Sequence, residues 1–266
     1  MSTPRDVTPR RDSLLTVAVV VRNDPTGLAS TLASLASAWQ TNTECLVLDG
    51  SDDPESIEAV VATYSSIGAR VRWSEPRGVY PAMNEALTHA RGEYIWFVNA
   101  GDRAHSDSSI STVLQILEKK PLWAYGQVCF IDSRGRTVLP RPFDYRREKR
   151  SGFSRGRFPP HQGTVATTQV MRDLGGFDEC FEVAADYAMM LKLSQLGNPD
   201  ESQEVWADFF EGGLSTIQWQ RAVSEFHRAR MDILCPSGID LVKEHAAVTR
   251  EFLMQAAGRS LKSLRK

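Results

Sequence analysis

Long apolar runs, paired cysteines and an excess of one charge are all missing from this chain of 266 residues. No apolar run reaches the roughly 18 residues that a membrane-spanning helix needs, so no transmembrane segment is expected. The four cysteines, Cys45, Cys129, Cys180 and Cys235, are widely spaced and form no C-x-x-C pair. They read as reduced thiols of a reducing compartment, two of them inside apolar runs. Lys and Arg number 31 against 33 Asp and Glu, for a formal net charge of −2. No global basic field therefore points to nucleic acid. No internal repeat and no low-complexity block occurs. Residues 1–13 are polar and contain proline without an apolar h-region, so a loose tail is expected there, not a signal peptide.

What is present is ordinary for a globular protein: 42% hydrophobic and 24% charged residues. The length suits one large α/β domain, with or without an appendage. Leu14 to Val21 is a β-branched run that predicts a first strand, ending at Arg22-Asn23. Asp24-Pro25 reads as a helix cap followed by a first-turn proline. Leu28, Leu32, Leu35 and Trp39 then recur at helical spacing. Cys45 to Leu48 predicts a second buried strand, which ends in Asp49-Gly50-Ser51-Asp52-Asp53. A second helix follows Asp53-Pro54 and carries Ile57, Val60, Val61 and Tyr64. Ala69 to Trp73 predicts a third strand. Pro81 to Ala90 predicts a third helix, with Gly92 placed to terminate it. The stretch from Gly92 through Tyr94, Trp96 and Val98 is a fourth strand, broken abruptly by Asn99-Ala100-Gly101-Asp102. This alternation predicts a mostly parallel sheet with right-handed crossovers and helices on both faces.

The second half departs from that pattern. Ile110, Val113, Leu114 and Leu117 mark a helix. Trp123 to Ile131 is a strand that turns at Asp132-Ser133-Arg134-Gly135 into Thr137-Val138-Leu139, a hairpin signal. Residues 141–160 are irregular and basic, with Arg141, Arg146, Arg147, Lys149, Arg150, Arg155 and Arg157. They read either as a solvated loop or as a lid that holds phosphates or an acidic acceptor. Leu174 to Asp178 is a turn, and Ala185-Asp186-Tyr187 opens a helix whose Met189 and Met190 belong to the core. Residues 218–265 read as helical, broken near Pro236-Ser237-Gly238. Arg259, Lys262, Arg265 and Lys266 form a basic end that is either solvated or rests on an anionic membrane surface.

Three carboxylates fall at strand ends or a helix start: Asp49, Asp102 and Asp186. Each alone has a plain explanation, two as turn formers and one as a helix cap. Strand-end loops converge on one edge of a parallel sheet, where open α/β folds bind ligands, so Asp49 and Asp102 are expected to share a cleft.

Seven motifs in order resemble an inverting family 2 glycosyltransferase of the GT-A fold, of the type that builds bacterial cell-surface polysaccharide or glycolipid. They are Asp49-Gly50-Ser51-Asp52, Arg77 to Asn84, Gly92 to Asp102, Pro160 to Gly163, Gly175 to Asp178, Ala184 to Tyr187, and Gly212 to Ser215. The resemblance covers about residues 14–215: a nucleotide-sugar half (14–102) and an acceptor half (103–215). Residues 216–266 would be a helical extension.

The resemblance implies a nucleotide-sugar donor (UDP-, GDP- or dTDP-linked) and a glycan or lipid-linked acceptor. It places Asn23, Asp49, Arg77, Gly78, Asn84, Asn99, Ala100 and Gly101 on the donor side, with Asp49 reading the base. Asp102 would hold Mn2+ or Mg2+, and Asp186 would be the catalytic base. His161 and Gln162 would line the acceptor side, His161 equally readable as a metal-proximal or structural residue. Asn99 and Pro81 stand where related sequences carry acids, and Pro76 is a further such replacement. A cytoplasmic protein is expected, with a peripheral inner-membrane contact and a homodimer left open. The competing classes are a non-catalytic nucleotide-sugar binder, which Asn99 and Pro81 motivate, and a nucleotidyltransferase or Rossmann dehydrogenase. The last two are disfavoured because Arg22-Asn23-Asp24-Pro25 is no glycine-rich phosphate loop.

Overall fold

The computed structural model describes residues 13–132, 134–210 and 218–263. Its first half alternates strand and helix: β1 (Ser13–Val21), α1 (Pro25–Ala38), β2 (Thr43–Asp49), α2 (Pro54–Thr63), β3 (Arg70–Trp73), α3 (Val79–His89) and β4 (Gly92–Phe97). The second half is mixed: β5 (Arg103–Ala104), α4 (Ser109–Leu117), β6 (Trp123–Ile131), β7 (Thr137–Val138), α5 (Tyr145–Phe153), β8 (Thr164–Thr167), α6 (Thr168–Asp173), α7 (Ala185–Leu196) and β9 (Asp200–Phe210). Two helices follow, α8 (Trp219–Leu234) and α9 (Gly238–Ser263). The motif Gly212 to Ser215, Ser133 of the hairpin turn, the tail of residues 1–12 and the side chains of the basic C-terminal end lie outside the described residues.

One nine-stranded sheet runs in the order β3-β2-β1-β4-β8-β6-β9-β5, with β7 hydrogen-bonded to β6. The strands β3, β2, β1 and β4 are parallel, as the alternation predicts. Antiparallel β8 joins β4 to β6, and β9 then runs parallel to β6. Successive strand residues face opposite sides. Leu15, Val17, Val19 and Val21 therefore pack with α1, α2 and α4 in one core, while Ala18, Ile95 and Phe97 pack with α3, α6 and α7 in the other. Both faces of the parallel strands are covered, which is why their sequences are continuously apolar.

Three expectations need correction. Gly92 does not end α3; Ala90 caps that helix in an extended conformation. Gly92 instead starts β4, where a Cβ would lie 2.4 Å from the Thr16 nitrogen, so glycine is needed for close approach of β1. Residues 141–160 are not wholly irregular, because α5 forms within them. Tyr145 and Phe153 bury its ends, and a buried Glu148 pairs with the more exposed side chains of Arg141 and Arg157 at 2.8 and 3.3 Å. Asp186 is not the N-cap of α7; Ala184 is. The strands β5, β8 and β9 are too short or too polar to announce themselves by pattern.

Helix α8 packs onto α7. Its Glu225 is buried and accepts from the backbone nitrogens of Glu182, Val183 and Ala184 at 3.0–3.2 Å. A carboxylate thus satisfies the N-cap amide of α7 and the two amides leading into it, where the helix dipole also favours negative charge. Arg230 of α8 is buried as well and bonds the Tyr187 hydroxyl and the Glu244 carboxylate of α9. No helix among the described residues is long and apolar enough to cross a membrane.

Candidate active site

A cavity of about 1020 Å³ opens at the carboxyl end of the parallel strands. Asn99, Ala100, Gly101 and Asp102 enter it from the end of β4, His161 and Gln162 from the turn before β8, and Asp186 from the first turn of α7. Seven residues that the motifs single out, far apart in the chain, therefore meet around one space.

The Asn99–Asp102 turn is held from α1. The Thr31 hydroxyl donates to the Asp102 carbonyl at 2.6 Å and accepts from the Gly101 nitrogen at 3.0 Å. Gly101 takes a φ of +97°, a conformation that side-chain-bearing residues rarely adopt. Thr31 is fully buried on the otherwise apolar face of α1, and that lone polar residue was the only sequence sign of its role.

Asp102 is buried, and one carboxylate oxygen accepts from the Gln162 amide at 3.2 Å. Loss of water pushes its carboxyl up to about 6, against the opposing pull of His161, Gln162 and the Phe210 backbone. Beside it, Asn99 Oδ1 and His161 Nε2 are buried without a hydrogen-bond partner among the described residues. Buried polar atoms are normally paired, so two orphans next to a desolvated carboxyl suit a divalent cation. A carboxylate oxygen, an amide oxygen and an imidazole nitrogen are a chemically fitting donor set for Mn2+ or Mg2+, the imidazole favouring the former.

Asp186 is held by three donors. The Tyr80 hydroxyl reaches Oδ1 at 3.2 Å, the Tyr187 nitrogen reaches Oδ1 at 2.8 Å, and His161 Nδ1 lies 3.1 Å from Oδ2. Burial, reinforced by the Asp186 charge, pushes the Tyr80 phenol far above its ordinary value, so it stays a proton donor to that carboxylate. His161 thus spans the two acidic residues, bonded to Asp186 and electrostatically coupled to Asp102. Tyr80 and Glu225 are functional candidates that sequence reasoning passed over. Tyr80 lies inside one of the seven motifs, and Glu225 is an acid set on the buried face of α8.

The remaining donor-side positions do not line this cavity. Asp49 is buried at the end of β2 and accepts from the Ser51 nitrogen at 2.9 Å. Asn23, with φ +52°, ties the β1 end to Asp52 through reciprocal bonds of 2.8 and 2.9 Å. Arg77 is exposed and pairs with Glu75 at 3.3 Å. Gly78 caps α3, whose Val79, Tyr80 and Met83 do face the cavity. Pro81 sits in the first turn of α3, where proline costs the helix little. The Asn84 amide is engaged elsewhere. It donates to the Phe177 carbonyl at 2.8 Å and to Glu179 at 3.0 Å, and accepts from the Phe177 nitrogen at 2.7 Å. It braces the Gly175-Gly176 turn and is not free to hold a ligand.

The family profile described as Glycosyl transferase family 2 matches residues 16–172, more than half of the chain. The chain belongs to glycosyl transferase family 2. It is 28% identical over 218 residues to an uncharacterized glycosyltransferase of Mycobacterium tuberculosis, covering 79% of each chain. Among solved structures it resembles the mannosyltransferase PcManGT from Pyrobaculum calidifontis in complex with GDP-Man and Mn2+. That match has a TM-score of 0.63 at 17% identity and covers 98% of this chain and 84% of that one. It also resembles S. aureus TarS 1-349, with a TM-score of 0.62 at 17% identity, covering 90% of this chain and 70% of that one. A longer TarS structure is spanned only to 40% of its length. The fold of this glycosyltransferase is therefore GT-A, the expected α/β class, with a curled mixed sheet, flanking helices and C-terminal helices.

Proposed function

We propose that the chain moves a sugar from a nucleoside diphosphate sugar to a hydroxyl of a glycan or lipid-linked acceptor, with inversion at the anomeric carbon. The observation that carries this reading is the convergence of Asp102, His161 and Asp186 on one cavity, with Asp186 oriented by three donors. Asp186 takes the proton of the acceptor hydroxyl as that oxygen forms its bond to the anomeric carbon. The bond from that carbon to the diphosphate oxygen breaks on the opposite face, and the nucleoside diphosphate leaves with the electron pair. Tyr80 and His161 keep the Asp186 carboxylate aimed at the acceptor, since small errors in position cost much rate. Asp102, with Asn99 and His161 beside it, would hold Mn2+ or Mg2+, which when bound supplies positive charge against the departing diphosphate.

Support for the donor class comes from the neighbours, whose structures hold UDP, UDP-GlcNAc or GDP-Man. Asp49 reads the base from the end of β2, adjoining the cavity rather than inside it, with Gly78 and Arg77 toward the ribose and phosphates. Asn23 shapes that end of the groove through its bonds to Asp52. The experiment is a thermal-shift screen of UDP-, GDP- and dTDP-sugars with and without Mn2+, followed by turnover with Asp186→Asn. Donor binding raises Tm in proportion to occupancy. A metal-dependent rise with one donor, retained in Asp186→Asn while transfer is lost, is the expected result. A flat response to every donor would overturn the reading, and donor binding without any turnover by the parent would leave a nucleotide-sugar binder.

A further inference from the structure

We infer a second divalent-cation site, of zinc type, on the side of the sheet opposite the cavity, formed by His105, Cys129 and Asp208. Two adjacent strands and the residue that follows a third build it. Asp208 on β9 is the register partner of Cys129 on β6 and of Arg103 on β5, and the His105 nitrogen continues that pairing by donating to the Trp206 carbonyl. One ligand atom from each of the three side chains lies within 4.8 Å of the others. His105 Nδ1 and Asp208 Oδ1 are hydrogen-bonded at 2.6 Å, a contact that a cation between them would replace.

The neighbours in sequence show which face this is. Phe130 and Phe209 follow Cys129 and Asp208, stack edge to face at 5.4 Å, and line the cavity. Val128 and Phe130 on either side of Cys129 both line the cavity, so alternation along β6 puts Cys129 on the other side, and Asp208, its register partner, goes with it. Phe210 reaches the cavity from the end of β9, and the lining includes none of His105, Cys129 and Asp208. The cation bound there is thus distinct from one held by Asp102.

The donor chemistry selects the ion. A thiolate, an imidazole and a carboxylate together suit a borderline cation such as Zn2+ and not Mg2+ or Ca2+, which take oxygen. Bonds of about 2.1–2.3 Å put ligand atoms around a tetrahedral zinc roughly 3.4–3.7 Å apart. Cys129 and Asp208 are fixed by the strand ladder, while the His105 side chain is 37% exposed and can swing away from its bond to Asp208 to admit the cation. The exposure at His105 leaves water as the fourth ligand. Binding releases the Cys129 thiol proton to solvent, so affinity rises with pH. A cation there ties β5, β9 and β6 together behind the aromatic wall of the cavity.

The test is a Co2+ titration of the full chain in a Cys180→Ser/Cys235→Ser background, which removes the two exposed thiols. One equivalent of Co2+ should produce a thiolate-to-cobalt charge-transfer absorption that Zn2+ bleaches. His105→Ala, at an exposed position, should weaken binding at least about tenfold. Cys129→Ser should abolish the absorption while metal-free Tm stays near the parent value, and Asp102→Asn should leave it intact. Absence of the absorption, its survival in Cys129→Ser, or its loss in Asp102→Asn would each overturn the site.

Discussion

The two edges of the parallel sheet each carry a buried carboxylate, and the two carboxylates differ in how fully the chain pairs their surroundings. At the amino edge, buried Glu44 accepts from the Thr16 hydroxyl at 2.6 Å, from the Arg91 nitrogen at 2.8 Å and from the Arg70 guanidinium. Thr16 in turn accepts from the Gly92 nitrogen at 2.8 Å, and Arg70 also donates to the His89 carbonyl at 2.9 Å. That carboxylate is saturated by the chain itself. At the carboxyl edge, Asn99 Oδ1 and His161 Nε2 are buried beside Asp102 with no partner among the described residues. A closed network of buried polar groups rigidifies a fold, whereas an incomplete one is costly to keep without a ligand. At the amino edge the Thr43 hydroxyl is buried without a partner among the described residues, but the carboxylate itself is fully paired; at the carboxyl edge the orphans surround the carboxylate, which is what makes that edge the candidate site.

Breaking the amino-edge cluster should have the largest effect. Glu44→Ala strands Arg70, Thr16 and the Arg91 amide, and should cost about 3–5 kcal/mol of stability in urea unfolding. A loss below about 1 kcal/mol would show that this edge is no more closed than the other. Asp186→Asn at the opposite edge should lower the transfer rate about a thousandfold, within the range for a general base, while the unfolding midpoint barely moves. A fall in both would make Asp186 architectural.

Thr31→Val should cost about 1–3 kcal/mol, because the Gly101 amide and Asp102 carbonyl lose a buried partner. The same variant should weaken the Mn2+-dependent part of the donor response more than the metal-free part. Tyr80→Phe sharpens the comparison further. It should remove about 1 kcal/mol of stability and slow transfer by up to about tenfold, with donor affinity unchanged.

The smallest expected effect is at Cys45, next to Glu44. Burial pushes its thiol up to about 12, with the Glu44 charge adding to the effect. The folded protein therefore favours the neutral thiol over a range in which the unfolded chain, with a thiol near 8.5, has lost the proton. Its contribution to stability is complete below about 8.5 and falls as pH rises toward 12. Cys45→Ala should flatten that part of the alkaline unfolding profile relative to the parent. At mildly alkaline pH, thiol reagents should modify exposed Cys180 and Cys235 while sparing Cys45.

The contrast between halves of the chain explains what was legible in advance. Leu14 to Val98 repeats strand and helix with apolar periods strong enough to give the four parallel strands and their helices within a residue or two. Leu28, Leu32 and Leu35 predict the buried face of α1 and find it. The stretches that became β5, β8 and β9 offered no such period, because β5 is two residues long, β8 is four, and β9 opens on the polar run Asp200 to Glu204. Pairing decided their conformation, β8 between β4 and β6, β9 on β6 and β5 on β9, and such non-local pairing leaves no local mark. Asn84 shows the same limit at the site: a motif position matched, yet its amide turned to the Phe177 turn instead of the cavity.

Local order and chemistry were thus written in the residues: which segments are strands, which loops carry carboxylates, and the family those loops belong to. Periodicity and capping act over a few residues, so they survive in one dimension. Only the folded chain decided that Asp102 and Asp186 share a cavity while Asp49 stands outside it, and that Thr31, Tyr80 and Glu225 hold the acidic residues in place. Those contacts join residues tens of positions apart, and their strength depends on burial and direction, neither of which a sequence states.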